Sequence, residues 1–141
     1  MLDWTSGKQQ RVSFSSIGAE ILAAALSADR AGLLAERLQH LFNLWPTLPL
    51  VLTVDSKGLF SNLSTTHEGS DYRLRPTVQR IRNSYESREI RTIQWIPGSL
   101  NLADGLTKRN TVAYKRLNEV IRSGAVDVED FAKCHRVSFT D

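Results

Sequence analysis

Hydrophobic and polar positions change rhythm along the chain, and each change marks an element. Over residues 8–16 (K-Q-Q-R-V-S-F-S-S) polar residues alternate with Val12 and Phe14, the two-residue period of a half-buried strand. Residues 3–5 continue that edge, with Ser6-Gly7 as a turn or bulge. Ser15 or Ser16 then suits a helix N-cap, with Glu20 in the first turns. From Ile17 to about Phe42 apolar residues recur every three or four positions (Ile17, Ile21, Ala24, Ala25, Ala28, Leu34, Leu38, Leu41). That spacing predicts one long amphipathic helix, with Gly32 as its natural point of interruption.

Pro46 and Pro49 close this segment, and Leu50-Val51-Leu52-Thr53-Val54 follows as a short unbroken apolar run. Such a run is expected of a strand buried on both faces of an α/β sheet. It ends at Asp55, after which residues 56–63 predict a short helix, and residues 64–70 (S-T-T-H-E-G-S) read as loop. Pro76 suits a first helical turn, and Val78, Ile81, Arg82 and Tyr85 follow at helical spacing. Residues 90–96 (I-R-T-I-Q-W-I) alternate as a strand and stop at Pro97-Gly98. Residues 101–104 open another helical piece, and a last helix over about 112–122 stops at Ser123-Gly124. Strands alternating with helices predict an α/β layer architecture. One domain over residues 1–124 and a C-terminal tail over 125–141 account for the chain's 141 residues.

Composition narrows the setting. The apolar fraction of 41% and charged fraction of 23% are those of an ordinary globular domain. No stretch reaches the roughly 18–20 apolar residues of a membrane helix, so no membrane partner is expected. The start, Met1-Leu2-Asp3-Trp4, lacks the basic flank and apolar block of a secretory signal. Cys134 is the single cysteine, which excludes an intrachain disulfide and fits a reducing compartment. Its only neighbour at ligand spacing is His135, too little for a zinc site. His40, His67 and His135 stand in unlike contexts, and His67 reads as a solvated loop histidine. Trp45 and Trp95 read as core or core-edge residues.

Charge adds a direction. The net charge is +3, with a sequence pI near 9.3. Arg73, Arg75, Arg80, Arg82, Arg88 and Arg91 crowd one stretch that holds Glu86 and Glu89, with Asp71 just outside. The planar guanidinium suits phosphate, and the same arginines suit a solvated helix face equally well. Arg73 and Arg75, then Lys108 and Arg109, are the candidate nucleic-acid contacts.

Three acids stand out by position. Glu20 lies in the first turns of the long helix, and Asp55 ends the apolar strand, where α/β folds place their sites. Asp104 follows the second strand and its Pro-Gly stop, at a helix start. Phosphodiester hydrolysis by two divalent metals needs carboxylates that converge from different elements onto ions about 3.5–4 Å apart. Hard oxygen ligands select Mg²⁺ or Mn²⁺. Each acid also has an ordinary reading, as a turn residue, a cap, or a partner of the helix dipole.

A resemblance favours the metal reading. The run Val12-Ser13-Phe14-Ser15-Ser16-Ile17-Gly18-Ala19-Glu20 resembles the V-x-x-S-S-x-x-A-E signature of RNase H domains in copia-type LTR retrotransposon polyproteins. Upstream, Trp4-Thr5-Ser6-Gly7-Lys8-Gln9-Gln10 is similar to the family's W-x-S-x-K-Q segment. Val54-Asp55-Ser56-Lys57 resembles its D-N/S segment. Trp95-Ile96-Pro97-Gly98, followed by Leu102-Ala103-Asp104-Gly105-Leu106-Thr107-Lys108, resembles its V-P-x…L-A-D-x-L-T-K signature. The four blocks stand in family order over roughly three-quarters of the chain.

The resemblance implies an RNase H-like α/β fold, a mixed sheet with flanking helices. It implies hydrolysis of the RNA strand of an RNA/DNA hybrid by an Asp-Glu-Asp-Asp set with two Mg²⁺ (or Mn²⁺) ions. By matching motif, Glu20, Asp55 and Asp104 are its catalytic and metal-binding carboxylates. The hybrid would be held through phosphates and RNA 2′-hydroxyls, in the cytoplasm or nucleus. The family's first aspartate sits on a strand upstream of the W-x-S-x-K-Q segment, so the fold is expected to be N-terminally truncated, short of its first two strands. Asp3 falls in the third strand and is no substitute. Two readings follow: a nuclease completed by those strands from a partner chain or a strand-exchanged homodimer, or a non-catalytic descendant that binds nucleic acid or protein.

Overall fold

A computed structural model describes residues 15–43, 48–65, 72–108, 111–125 and 135–136. Of the strand expected over 8–16 and its edge at 3–5, all but residues 15 and 16 lies outside these residues, as does the loop around His67; Ser15 and Ser16 are the cap and first residue of a helix. The chain is mixed α/β, dominated by helix, and its described residues divide into two compact units, 15–95 with Arg136 and 96–125 with His135.

The first unit opens with α1 (Ser16–Phe42), capped by the Ser15 hydroxyl, which accepts from the Gly18 N–H at 3.1 Å. The helix runs unbroken through Gly32, so the expected interruption does not occur. A lone glycine costs about 1 kcal/mol against alanine, too little to break a helix rich in Ala, Leu, Glu and Arg. It ends at Asn43 in the left-handed region (φ 49), whose N–H donates to the Gln39 carbonyl. Then come β1 (Leu50–Val54), α2 (Lys57–Ser64), α3 (Arg75–Glu86) and β2 (Ile90–Trp95). Pro76 sits in the first turn of α3, where its missing N–H costs nothing.

β1 and β2 pair in parallel, with α2 and α3 as the crossover. A two-residue strand, β3 (His135–Arg136), follows β2 in the sheet order. Leu50 faces Ile90 while Val51 faces Thr92, so Arg91 is an extra residue on β2. This bulge has a packing consequence. Ile90 and Ile93 are three apart and would point to opposite faces of a regular strand, yet both are buried in one cluster with Val54. That cluster joins Ile21, Ala24 and Ala25 of α1, Leu59 and Leu63 of α2, and Ile81 of α3. Leu63, Ile81 and Ile93 are its fully buried centre, each contributing about 1.5–3 kcal/mol.

All three helices therefore serve one face of the pair. On the other face Val51 is 52% exposed, and the buried Gln94 donates to the Thr53 hydroxyl at 3.1 Å. The expectation of a strand buried on both faces is thus corrected: β1 alternates, with Leu50, Leu52 and Val54 inward. An apolar run of five residues does not distinguish the two cases.

The second unit holds a 3₁₀ turn (Gly98–Leu100), α4 (Asp104–Thr107) and α5 (Val112–Ser123). Thr111 caps α5 through the Tyr114 N–H at 3.3 Å, and Gly124 ends it at φ 68. Gly105 is where α4 meets α5: a Cβ there would stand 2.7 Å from the Ala113 carbonyl oxygen. Among the described residues no helix is long and apolar enough to cross a membrane.

Candidate functional site

Asp55 follows β1 directly, and with Ser56 forms the whole connection to α2. The Ser56 hydroxyl caps α2 by accepting from the Leu59 N–H at 3.2 Å, which fixes where the strand hands over to the helix. The Asp55 side chain is exposed. Its backbone carbonyl accepts from the Trp95 indole N–H at 2.8 Å, and the Lys57 ammonium stands 5.1 Å from the centre of the Trp95 ring.

Glu20 is the fifth residue of α1 and half-buried. Its Oε2 is shielded from solvent and has no hydrogen-bond partner. A shielded carboxylate oxygen without a partner is costly, and a cation is the kind of group that relieves it. The start of α1 packs on the start of α2: a Cβ on Gly58 would meet the Ile17 Cδ1 at 2.9 Å. Glu20 lies one helical turn beyond Ile17, and Asp55 lies three residues before Gly58. In sequence, each acid is thus three residues from one partner of this α1–α2 contact.

Asp104 belongs to the second unit, as the first residue of α4. Its carboxylate is paired with Lys108 Nζ at 2.6 Å, one turn along. The pair is partly solvated, with side-chain exposures of 25% and 59% for acid and base, so it contributes well under 1 kcal/mol. It does engage two residues that the sequence offered separately, Asp104 to metal and Lys108 to phosphate. Among the described residues no group of three or more His, Cys, Asp or Glu side chains is placed to hold a metal. Glu20 fits a cation by its unpartnered oxygen, while Asp104 carries its own counter-charge.

The arginines divide by task. Arg73 lies over the Tyr72 ring, 5.6 Å from its centre, and both residues are exposed. Arg75 begins α3 and is also exposed. Arg80 pairs with Asp29 of α1 at 3.2 Å. Arg82 donates to the carbonyls of Asn62, at 2.6 Å, and of Thr65, closing the end of α2. Arg80 and Arg82 are thus engaged within the fold. Arg109 lies outside the described residues. Trp95, read from sequence as a core-edge residue, is half-buried. Its bond to Asp55 had no signal beyond its place at the end of the second strand.

A cleft of about 960 Å³ opens at the opposite end of the parallel pair, lined in part by Gly32, Leu50, Tyr85, Arg88 and Ile90. β1 carries Leu50 at one end and meets Asp55 at the other, roughly 16 Å away at 3.3 Å per residue. Asp55 is therefore not in this cleft. The chain matches no family model, no curated protein and no solved structure.

Proposed function

We propose that the chain is an RNase H-like domain of the copia retrotransposon kind. Its reaction is hydrolysis of the RNA strand of RNA/DNA hybrids, with Glu20, Asp55 and Asp104 as metal-binding carboxylates. The observation that carries this reading is the shielded, unpartnered Oε2 of Glu20. It sits on the helix that packs beside the strand-end Asp55, in a chain whose four motif blocks follow the family order. Two Mg²⁺ or Mn²⁺ ions, when bound, would activate water and neutralise the charge that develops on the phosphate. The chain's own part is to hold those ligands from different elements and to grip the backbone through Arg73 and Arg75. The fourth carboxylate of the set is supplied by the family's first strands, from another part of a longer chain or from a partner.

A second reading has its own support. The 2.6 Å pair of Asp104 with Lys108 favours a non-catalytic RNase H-like domain that binds nucleic acid or a protein partner, alone or as a homodimer.

Cleavage of a labelled RNA/DNA hybrid separates the two. The chain is assayed in Mg²⁺ and in Mn²⁺, with and without a polypeptide carrying the first two strands of a copia-type domain. The proposal predicts cutting in the supplemented reaction, reduced at least a hundredfold by Asp55→Asn. Hybrid binding without cutting in either mixture selects the second reading. Neither binding nor cutting overturns both.

A further inference from the structure

The connection between β1 and α2 is short, and a single side chain from the neighbouring strand braces it. Trp95 is the last residue of β2 and lies opposite Val54, the last residue of β1. Its indole reaches one residue further, and the N–H donates to the Asp55 carbonyl at 2.8 Å. From the other side of the loop the Lys57 ammonium stands 5.1 Å from the ring centre. The indole is thus bonded at its edge to one end of the loop and approached on its face from the other. Ser56, between them, is held to α2 through the Leu59 N–H.

This has a consequence for Asp55. Its side chain is exposed, and the φ and ψ of the loop set the Cα–Cβ vector from which its rotamers start. A hydrogen bond to its own carbonyl restrains the adjacent peptide plane, and with it the direction in which the side chain leaves the backbone. Metal ligation and phosphoryl chemistry are sensitive to displacements of about 1 Å. Apolar contact alone would be met by any large ring at position 95; the N–H donor is the part that packing does not require.

We propose that Trp95 is a positioning residue: its indole N–H orders the β1–α2 loop so that the Asp55 carboxylate is presented in a fixed direction to a divalent cation. This rests on the reading of Asp55 as a metal ligand. Phenylalanine at 95 keeps an aromatic ring beside Lys57 and removes the N–H donor.

The test is Mn²⁺ binding to the full chain, followed by electron paramagnetic resonance well below every melting temperature, for wild type, Asp55→Asn and Trp95→Phe. Amide exchange at Leu59 reports on loop order in the same proteins. Trp95→Phe is expected to weaken Mn²⁺ binding between about twofold and tenfold, the net worth of one hydrogen bond, and to speed exchange at Leu59. Unchanged affinity and exchange in Trp95→Phe, with binding lost in Asp55→Asn, would overturn this inference and leave the reading of Asp55 standing. Equal binding by wild type and Asp55→Asn would overturn the reading and the inference together. Should Trp95→Phe fail to fold, Mg²⁺ titration of the wild type decides. The Trp95 indole resonance, assigned with Trp4→Phe and Trp45→Phe, shifts if the inference holds and stays still if it does not.

Discussion

The two halves of α1 are one continuous helix with different work to do. In its first ten residues Gly18, Ile21, Ala24 and Ala25 are all buried, and Glu20 carries a shielded oxygen with no partner. From Leu26 onward no residue is fully buried, and Leu33, Leu41 and Phe42 are more than half exposed. Gly32 has nothing within 4 Å of where a Cβ would stand, and it lines the cleft at the amino ends of the strands. The first half is held by tertiary packing, the second chiefly by its own hydrogen-bond ladder and the Asn43 cap. The lesson concerns Glu20. An unpartnered carboxylate oxygen is tolerated where packing is strongest, which is where a fold can sustain a costly functional group.

Substitutions sharpen this contrast. Ile21→Ala, in the packed half, should lower unfolding free energy by about 2–5 kcal/mol in urea titration. A loss below about 1 kcal/mol would mean that the first half is not the anchored one. Gly32→Ala, in the open half, should raise stability by about 1 kcal/mol, since alanine favours the helix and meets nothing there. A loss of stability would show that something occupies the space beside Gly32.

Much of this architecture was legible. Ser56, Pro76 and Ser123-Gly124 marked helix ends because caps and prolines act locally, and α2, α3 and α5 begin or end where they said. Gly32 misled, because a local cost of about 1 kcal/mol is overridden in a long run of good helix formers. The inward and outward faces of β1 were hidden by a run in which Val51 and Leu52 are equally apolar. The bulge at Arg91 was invisible, because it is settled by Ile90 and Ile93 both entering one core. At the site, Glu20 and Asp55 were found by position and motif. Their surroundings were not, since the Trp95 bond spans 40 residues and the tasks of Arg80 and Arg82 depend on α1 and α2. The ion pair of Asp104 with Lys108 was within reach of the sequence, as an acid and a base four apart on one helical turn.

The most direct measurement is the thermal stability of wild type and Glu20→Gln, each in EDTA and in saturating Mn²⁺. If Glu20 is a metal-binding carboxylate, Glu20→Gln is at least as stable as wild type in EDTA, having shed a shielded charge. In Mn²⁺ the wild type then gains about 1.4 kcal/mol at tenfold excess over its dissociation constant, and the variant gains little. Equal gains in Mn²⁺, or a variant that is already destabilised in EDTA, would contradict the account and make Glu20 a structural residue.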